Sequence, residues 1–171
     1  MEITHKPQRG VINHQSKKSS LMPQSLSYVY VHITFSTKHR QPLIDDSIKT
    51  ELWNYLGGVC KGLECNPVRV GGHHDHVHIC CLLSKKITSV KLLEEIKKES
   101  SRWMKTKGPQ YSQFYWQDGY GEFSINPSEL DKVVAYIDGQ HEHHKKRTFQ
   151  SEFLAFLKKY GIPYDERYIW D

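Results

Sequence analysis

The segment His76-Val77-His78 constrains the fold most, because it opens an apolar run that continues to Leu83. Such a run is typical of a strand that is buried on both of its faces. Residues two apart in a strand point to the same face, so both imidazoles would project together and Val77 would project to the other side. A buried histidine is costly unless it binds a metal or forms hydrogen bonds. The pattern therefore predicts a central strand whose two histidines have either a metal or hydrogen-bond partners.

A second candidate group lies on a predicted helix further along the chain. Asn126 is a favourable N-cap residue, Pro127 suits the first helical position, and Glu129 occupies the capping-box position. Apolar residues then recur at helical spacing, at Leu130, Val133, Val134 and Ile137. Tyr136 and Gln140 are four residues apart, so they would lie along one edge of this helix. They either face a site together or are a boundary aromatic residue and a surface amide.

In this order, the two groups resemble the single-tyrosine HUH transposases of the insertion-sequence 200/605 type, which include the REP-associated tyrosine transposases. In that family a His-hydrophobe-His pair on a strand meets a helix-borne tyrosine, and a metal-ligating glutamine follows the tyrosine by four residues. Residues 25–40 resemble the family's opening strand with its basic end, and residues 116–121 resemble the segment before the tyrosine helix. The resemblance covers about residues 22–171.

The resemblance implies a metal-dependent enzyme that cleaves and rejoins single-stranded DNA. Tyr136 would attack a phosphodiester, leaving a 5′-phosphotyrosine intermediate and a free 3′-hydroxyl. A divalent metal, Mg²⁺ or Mn²⁺, would be held by His76, His78 and Gln140 and would act as a Lewis acid on the phosphate. Because these ligands are neutral and two are nitrogens, manganese or a later transition metal is expected to bind at least as tightly as magnesium.

The resemblance also implies the partners of the chain. They are single-stranded DNA with hairpin ends and a second copy of the chain in a homodimer, with no membrane and no small-molecule cofactor. In the family the tyrosine helix packs against the partner subunit's histidine pair. The sequence alone does not decide between a site within one chain and a site shared by two.

Weaker predictions concern the polar residues around the two groups. Asp75 precedes the histidine pair and either orients a ligating imidazole or is an exposed turn residue. Gly71 and Gly72 are expected to form the tight turn into the strand. Residues 141–147 are expected to be a basic helix end beside the site rather than a metal-binding group. The basic residues expected to contact the DNA backbone are Lys38, Arg40, Lys145, Lys146 and Arg147.

The order strand, helix, strand, strand, helix, strand, helix predicts an α+β, ferredoxin-like (RRM-like) fold. It would consist of an antiparallel sheet with helices on one face, a tyrosine-bearing helix and a C-terminal helix. The aromatic stripe of that last helix is Phe149, Phe153, Phe156 and Tyr160. Residues 22–171 would form one single-tyrosine HUH transposase domain.

Residues 1–21 differ from the rest in composition, since they are rich in serine, lysine and histidine and lack apolar periodicity. They are predicted to be a disordered basic tail, and Met22 is an alternative start of translation. The formal net charge is +5. Four basic residues against one acidic residue in the tail account for +3 of it, at Lys6, Arg9, Lys17, Lys18 and Glu2. DNA affinity is therefore expected to come from local basic patches of the domain.

The cysteines and the hydropathy pattern predict a cytosolic protein, and the resemblance implies a location in the bacterial cytoplasm, beside the nucleoid. The chain has 4 cysteines without a Cys-x-x-Cys spacing, which is typical of reduced, buried thiols. No apolar run approaches the length of a membrane span, and the N-terminus lacks the apolar core of a signal peptide.

Two other functional classes remain open. A non-catalytic RRM-like module would stack nucleic-acid bases on exposed aromatic residues, for which the candidates are Tyr30, Phe35, Tyr115 and Trp116. A metal-dependent hydrolase also uses a His-x-His pair, but it needs further carboxylate or histidine ligands. Replication initiators and relaxases of the HUH class share the histidine pair, whereas the short chain and the single tyrosine before Gln140 favour a transposase.

Overall fold

The structure, a computed structural model, describes residues 26–144 and 148–170 of the chain. The predicted tail and the alternative start at Met22 lie outside these ranges. So do three of the predicted DNA-binding residues, Lys145, Lys146 and Arg147. The statements made about these residues from the sequence stay predictions.

A four-stranded antiparallel sheet forms the centre of the fold. Its strands are β1 (Tyr30–Ser36), β2 (Asn66–His73), β3 (His76–Leu82) and β4 (Gly121–Ile125). They lie in the order β2-β3-β1-β4, and each neighbouring pair is antiparallel. Helix α1 (Lys49–Gly62) connects β1 to β2, and helix α2 (Ser89–Lys105) lies between β3 and β4. This is the order of a ferredoxin-like sheet, so the predicted α+β class is confirmed.

Helices α1 and α2 cover one face of the sheet. Alternate residues of the two central strands point toward them, because side chains alternate between the faces of a strand. These strand residues are Val31, Ile33, Phe35, Val77, Ile79 and Cys81, and all are buried. The helices contribute Leu52, Leu56, Leu92 and Ile96 to the same core. Phe35 and Trp116 also belong to this core, so neither is exposed for base stacking as the RRM-like alternative requires.

The C-terminal helices cover the opposite face. They are α3 (Leu130–Asp138), α4 (Gln140–His143) and α5 (Phe149–Lys159). Both faces of β3 are therefore buried, which explains why its sequence is apolar without interruption except at the histidines. Among the helices of the described residues, none combines the length and the apolar content that a bilayer crossing requires.

The prediction that Gly71 and Gly72 form the turn into β3 is wrong. Both glycines lie inside β2, and the turn follows at residues 74–75. Helix α3 crosses β2 at Gly71, where an added Cβ would lie 2.7 Å from Cγ2 of Ile137 and 3.2 Å from its carbonyl oxygen. At Gly72 an added Cβ would lie 2.3 Å from the carbonyl oxygen of His76. The glycines thus allow close approach of the backbone within the strand.

We expect Gly71→Ala to lower the free energy of unfolding by about 1–3 kcal/mol, because the added methyl group overlaps with Ile137 and pushes α3 away from β2. Urea unfolding followed by circular dichroism measures this effect. Gly58→Ala is the matched control, since Gly58 lies within α1 with open space around its added Cβ. The control should be neutral or stabilising. Equal destabilisation by the two substitutions would contradict the close contact at Gly71.

Candidate functional site

The two histidines of β3 project from the same face of the sheet, and both are fully buried. Nδ1 of His76 lies 2.7 Å from Oδ1 of Asp75. Nδ1 of His78 lies 2.9 Å from Nε2 of His32 on β1. The Nδ1 atoms of both rings thus have partners. The Nε2 atoms lie on the other side of each ring, next to side chains of the C-terminal helices. An imidazole held through Nδ1 in this way can present the lone pair of Nε2 to a metal.

Two side chains from the C-terminal helices meet these Nε2 atoms. Oε1 of Gln140 lies 3.2 Å from Nε2 of His76, and Oε2 of Glu152 lies 3.4 Å from Nε2 of His78. The amide nitrogen of Gln140 also donates a hydrogen bond of 3.1 Å to Oε1 of Glu152. Ligand atoms of His76, His78 and Glu152 all lie within 4.8 Å of one another.

The charges of this group fit a divalent cation. Burial lowers the pKa of His78 well below its usual value, and the nearby His76 and His144 lower it further, so its imidazole is neutral. Burial raises the pKa of Glu152 to about 7. The nearby His76 lowers this pKa, and Asp75 raises it. Among the described residues, Nε2 of His78 and Oε2 of Glu152 are buried without a hydrogen-bond partner. When the proton of His78 lies on Nδ1, these two atoms are both acceptors 3.4 Å apart, and a positive charge between them would stabilise them. The donor set then fits a metal.

Tyr136 reaches the same group from α3. Its ring centroid lies 5.6 Å from that of His78 and 6.1 Å from that of His32. The hydroxyl oxygen is buried and has no hydrogen-bond partner among the described residues. A buried hydroxyl without a partner reduces stability, and such groups in native structures often have a chemical role. The structure thus brings Tyr136 and Gln140 to the histidine pair within one chain.

A cavity of about 680 Å³ opens beside Tyr136. Its wall includes the rings of Phe156 and Tyr160 and the side chains of Lys132 and Lys159. Aromatic rings stack on nucleic-acid bases, and lysines attract the phosphates of a single strand. The volume lies in the range of sites that bind small molecules, so the cavity can accept a nucleotide.

The remaining predicted residues lie at the edge of this group. Asp75 contacts His76 directly; burial opposes its ionisation, but the hydrogen bond with His76 lowers its pKa below the usual value. Lys38 lies 3.9 Å from the carboxylate of Asp118. The guanidinium of Arg40 lies 5.6 Å from the ring centroid of Trp170. The backbone amide of Thr37 donates a hydrogen bond to the carbonyl of Asp75. The loop that carries Lys38 and Arg40 therefore lies beside the start of β3, next to His76.

Glu152 and His32 were not predicted from the sequence, and the histidines at the C-terminal end of α4 were not expected to contact this group. Glu152 follows Phe149 by three residues and precedes Phe156 by four, so it is a charged residue within an apolar helical stripe. His32 interrupts an apolar strand in the same way as the pair on β3. His144 belongs to the segment that was expected to be only a basic helix end. Its Nε2 atom lies 2.8 Å from Oε1 of Gln140. A charged or histidine residue within an otherwise apolar strand or helical stripe is the sequence feature that marks Glu152 and His32 as candidate site residues.

Comparisons with known proteins match a family model and several solved structures of similar fold. A family model described as IS200-like transposase matches residues 25–140. A candidate transposase from Deinococcus radiodurans R1 is 18% identical with a TM-score of 0.55, covering 70% of this chain and 98% of that one. A REP-associated tyrosine transposase bound to a REP hairpin is 18% identical with a TM-score of 0.53, covering 72% and 74%. At this identity the two structures show similarity of fold alone. No curated protein matches the chain significantly.

Proposed function

The chain belongs to the IS200-like transposase family, and on that premise we propose that it cleaves and rejoins single-stranded DNA with Tyr136 as the nucleophile. The observation that carries this proposal is the position of the Tyr136 ring, 5.6 Å from that of His78, with its hydroxyl unpartnered among the described residues. A metal-binding group and a nucleophile side by side are what a tyrosine-mediated phosphoryl transfer needs.

In the proposed reaction the oxygen of Tyr136 forms a bond to the phosphorus of a phosphodiester, and the bond from phosphorus to the 3′-oxygen breaks. The proton of the tyrosine hydroxyl ends on the departing 3′-oxygen. The products are a 5′-phosphotyrosine and a free 3′-hydroxyl. Attack by another 3′-hydroxyl on the phosphotyrosine reverses these bond changes and joins two strands. Because the phosphodiester is exchanged for a phosphotyrosine, joining requires no ATP.

His76, His78 and Gln140 would hold the divalent metal, and Glu152 would add a carboxylate ligand. When bound, Mg²⁺ or Mn²⁺ would stabilise the negative charge on the non-bridging oxygens of the phosphate. The carboxylate changes the ligand set from the three neutral groups predicted from sequence. It lowers the net charge of the centre and adds a hard oxygen donor, which favours manganese and magnesium over softer metals.

The DNA strand would enter through the cavity beside Tyr136. The nucleotide that remains covalently attached after cleavage must stay within one phosphodiester of Tyr136. Its base would stack on Phe156 or Tyr160, and Lys159 would neutralise a flanking phosphate. One of the similar structures is bound to a REP hairpin, so we propose a hairpin-containing single strand as the substrate.

The assembly and location of the chain follow from the family only as predictions. The ring of Tyr136 lies 5.6 Å from that of His78 of the same chain, which supports a site that one subunit can complete. A homodimer stays a prediction that light scattering of the purified protein can test. A cytoplasmic location beside the bacterial nucleoid is likewise inferred from the DNA substrate.

The covalent intermediate tests the proposed function. The protein would be incubated with manganese and a pool of 3′-end-labelled single strands drawn from the flanks of its coding region. We expect the label to appear on the protein in a denaturing gel, to be lost with EDTA, and to map by mass spectrometry to the peptide that contains Tyr136. Repeated metal-dependent cleavage without an adduct would favour a hydrolase. Binding of DNA without cleavage would favour a non-catalytic module.

We expect Glu152→Gln to weaken Mn²⁺ binding about tenfold or more, because it removes the negative charge while keeping the size of the side chain. Isothermal titration calorimetry measures the affinity directly, without DNA. Glu166→Gln is the matched control, because Glu166 is exposed. Unchanged manganese affinity in Glu152→Gln would show that this carboxylate is not a ligand.

A further inference from the structure

Strand β1 brings a third buried histidine to the site. His32 lies at the centre of the sheet, opposite Cys80 on β3 and Phe123 on β4, and it is 3% exposed. Its Nε2 atom lies 2.9 Å from Nδ1 of His78, and the two residues are 46 positions apart in the chain. His32 is not a member of the group that could hold the metal. Its imidazole therefore contacts a proposed ligand rather than the metal itself.

The short contact between the two rings restricts where their protons are. In a hydrogen bond between two imidazole nitrogens, one carries the proton and the other accepts it. Nε2 of His78 can bind a metal only when it is unprotonated, so the proton of His78 must then lie on Nδ1. Nε2 of His32 must therefore accept this hydrogen bond, and His32 carries its own proton on Nδ1.

The surroundings of His32 suit an acceptor. His32 is 3% exposed, so a protein atom rather than bulk water must be the partner of its Nε2 atom. The ring is also held by edge-on contacts with Tyr136 and Phe156, at centroid distances of 6.1 and 5.2 Å. A neutral imidazole that cannot rotate freely presents its lone pair in a fixed direction.

We propose that His32 is a positioning residue that fixes the tautomer and ring orientation of His78 for metal binding. Asp75 has the same relation to His76, since its carboxylate accepts from Nδ1 of that ring at 2.7 Å. The two metal-binding histidines are thus oriented by different acceptors, a carboxylate and a neutral imidazole. This inference rests on the proposed metal-dependent function. It extends that function to a residue on β1 that also lines the cavity beside Tyr136.

The substitutions His32→Leu and His32→Gln separate the acceptor from simple packing. Leucine fills the space without an acceptor, whereas the glutamine amide can offer an oxygen near the position of Nε2. We expect His32→Leu to lose about ten- to a hundredfold in affinity for Mn²⁺ and Co²⁺, a range typical of outer partners of metal ligands. The visible absorption of the Co²⁺-loaded protein should shift in this variant. His32→Gln should recover most of the affinity and the wild-type spectrum.

Nuclear magnetic resonance of the metal-free wild-type protein gives a measurement that does not depend on a variant folding. Long-range ¹H–¹⁵N correlations distinguish the two tautomers of a neutral histidine. We expect both His32 and His78 to carry their protons on Nδ1. A proton on Nε2 of His78 would overturn the proposal, as would wild-type affinity and spectrum in His32→Leu or equal losses in both variants. If the wild-type protein binds no metal, the proposed function fails with it, whereas normal metal binding by His32→Leu removes only the role of His32.

Discussion

Tyr136→Phe is expected to abolish the covalent DNA adduct and to reduce the cleavage rate about 10⁴-fold or more, because it removes the only nucleophilic atom of the side chain. No described residue hydrogen-bonds the hydroxyl of Tyr136. Its loss should therefore leave the fold, the manganese affinity and the DNA affinity close to those of the wild-type protein. Single-turnover cleavage of end-labelled DNA measures the rate, while calorimetry and a gel-shift assay measure the two affinities.

Two other tyrosines serve as controls for this substitution. Tyr160 lines the same cavity, and its hydroxyl donates to the carbonyl of Ser124 at 3.2 Å, so it already has a partner. Tyr120 lies just before β4 and is 38% exposed. Tyr160→Phe and Tyr120→Phe should each retain the adduct. An adduct that persists in Tyr136→Phe and disappears in one of these two would move the nucleophile to that tyrosine.

The fold and part of the site could be predicted from the sequence because local periodicity determines which face a side chain occupies. The alternation along β3 places both imidazoles on one face. Tyr136 and Gln140 also meet beside them, but not on one helix as predicted, because α3 ends at Asp138 and Gln140 is the first residue of α4. The predicted α+β architecture depends on the same patterns, and the observed strand order agrees with it.

The sequence pattern marks His32 and Glu152 as unusual, but their contacts with the site could not be predicted, because these contacts join distant segments. His32 meets His78 only through the register of β1 against β3. Glu152 meets the histidine pair only because α5 packs over that face of the sheet. The glycine pair of β2 illustrates the same limit. A Gly-Gly pair suits either a turn or a close backbone approach, and only the crossing of α3 over Gly71 distinguishes the two.

His76→Ala is expected to weaken manganese binding about a hundredfold or more and to reduce cleavage correspondingly, because it removes a proposed ligand. The carboxylate of Asp75 holds the Nδ1 atom of this imidazole at 2.7 Å. Gln140→Ala removes a neutral oxygen donor that a water molecule can replace, so its effect should be smaller. The two variants would be compared by calorimetry and by single-turnover cleavage over a range of manganese concentrations.

Excess manganese should restore cleavage by Gln140→Ala more fully than cleavage by His76→Ala. This follows because His78 and Glu152 remain in both variants, but only Gln140→Ala also keeps the imidazole held by Asp75. A larger defect in Gln140→Ala than in His76→Ala would mean that the amide has a role beyond ligation. Its hydrogen bond to Glu152, at 3.1 Å, would then be the first contact to examine, because loss of that bond would release the carboxylate from its position beside His78.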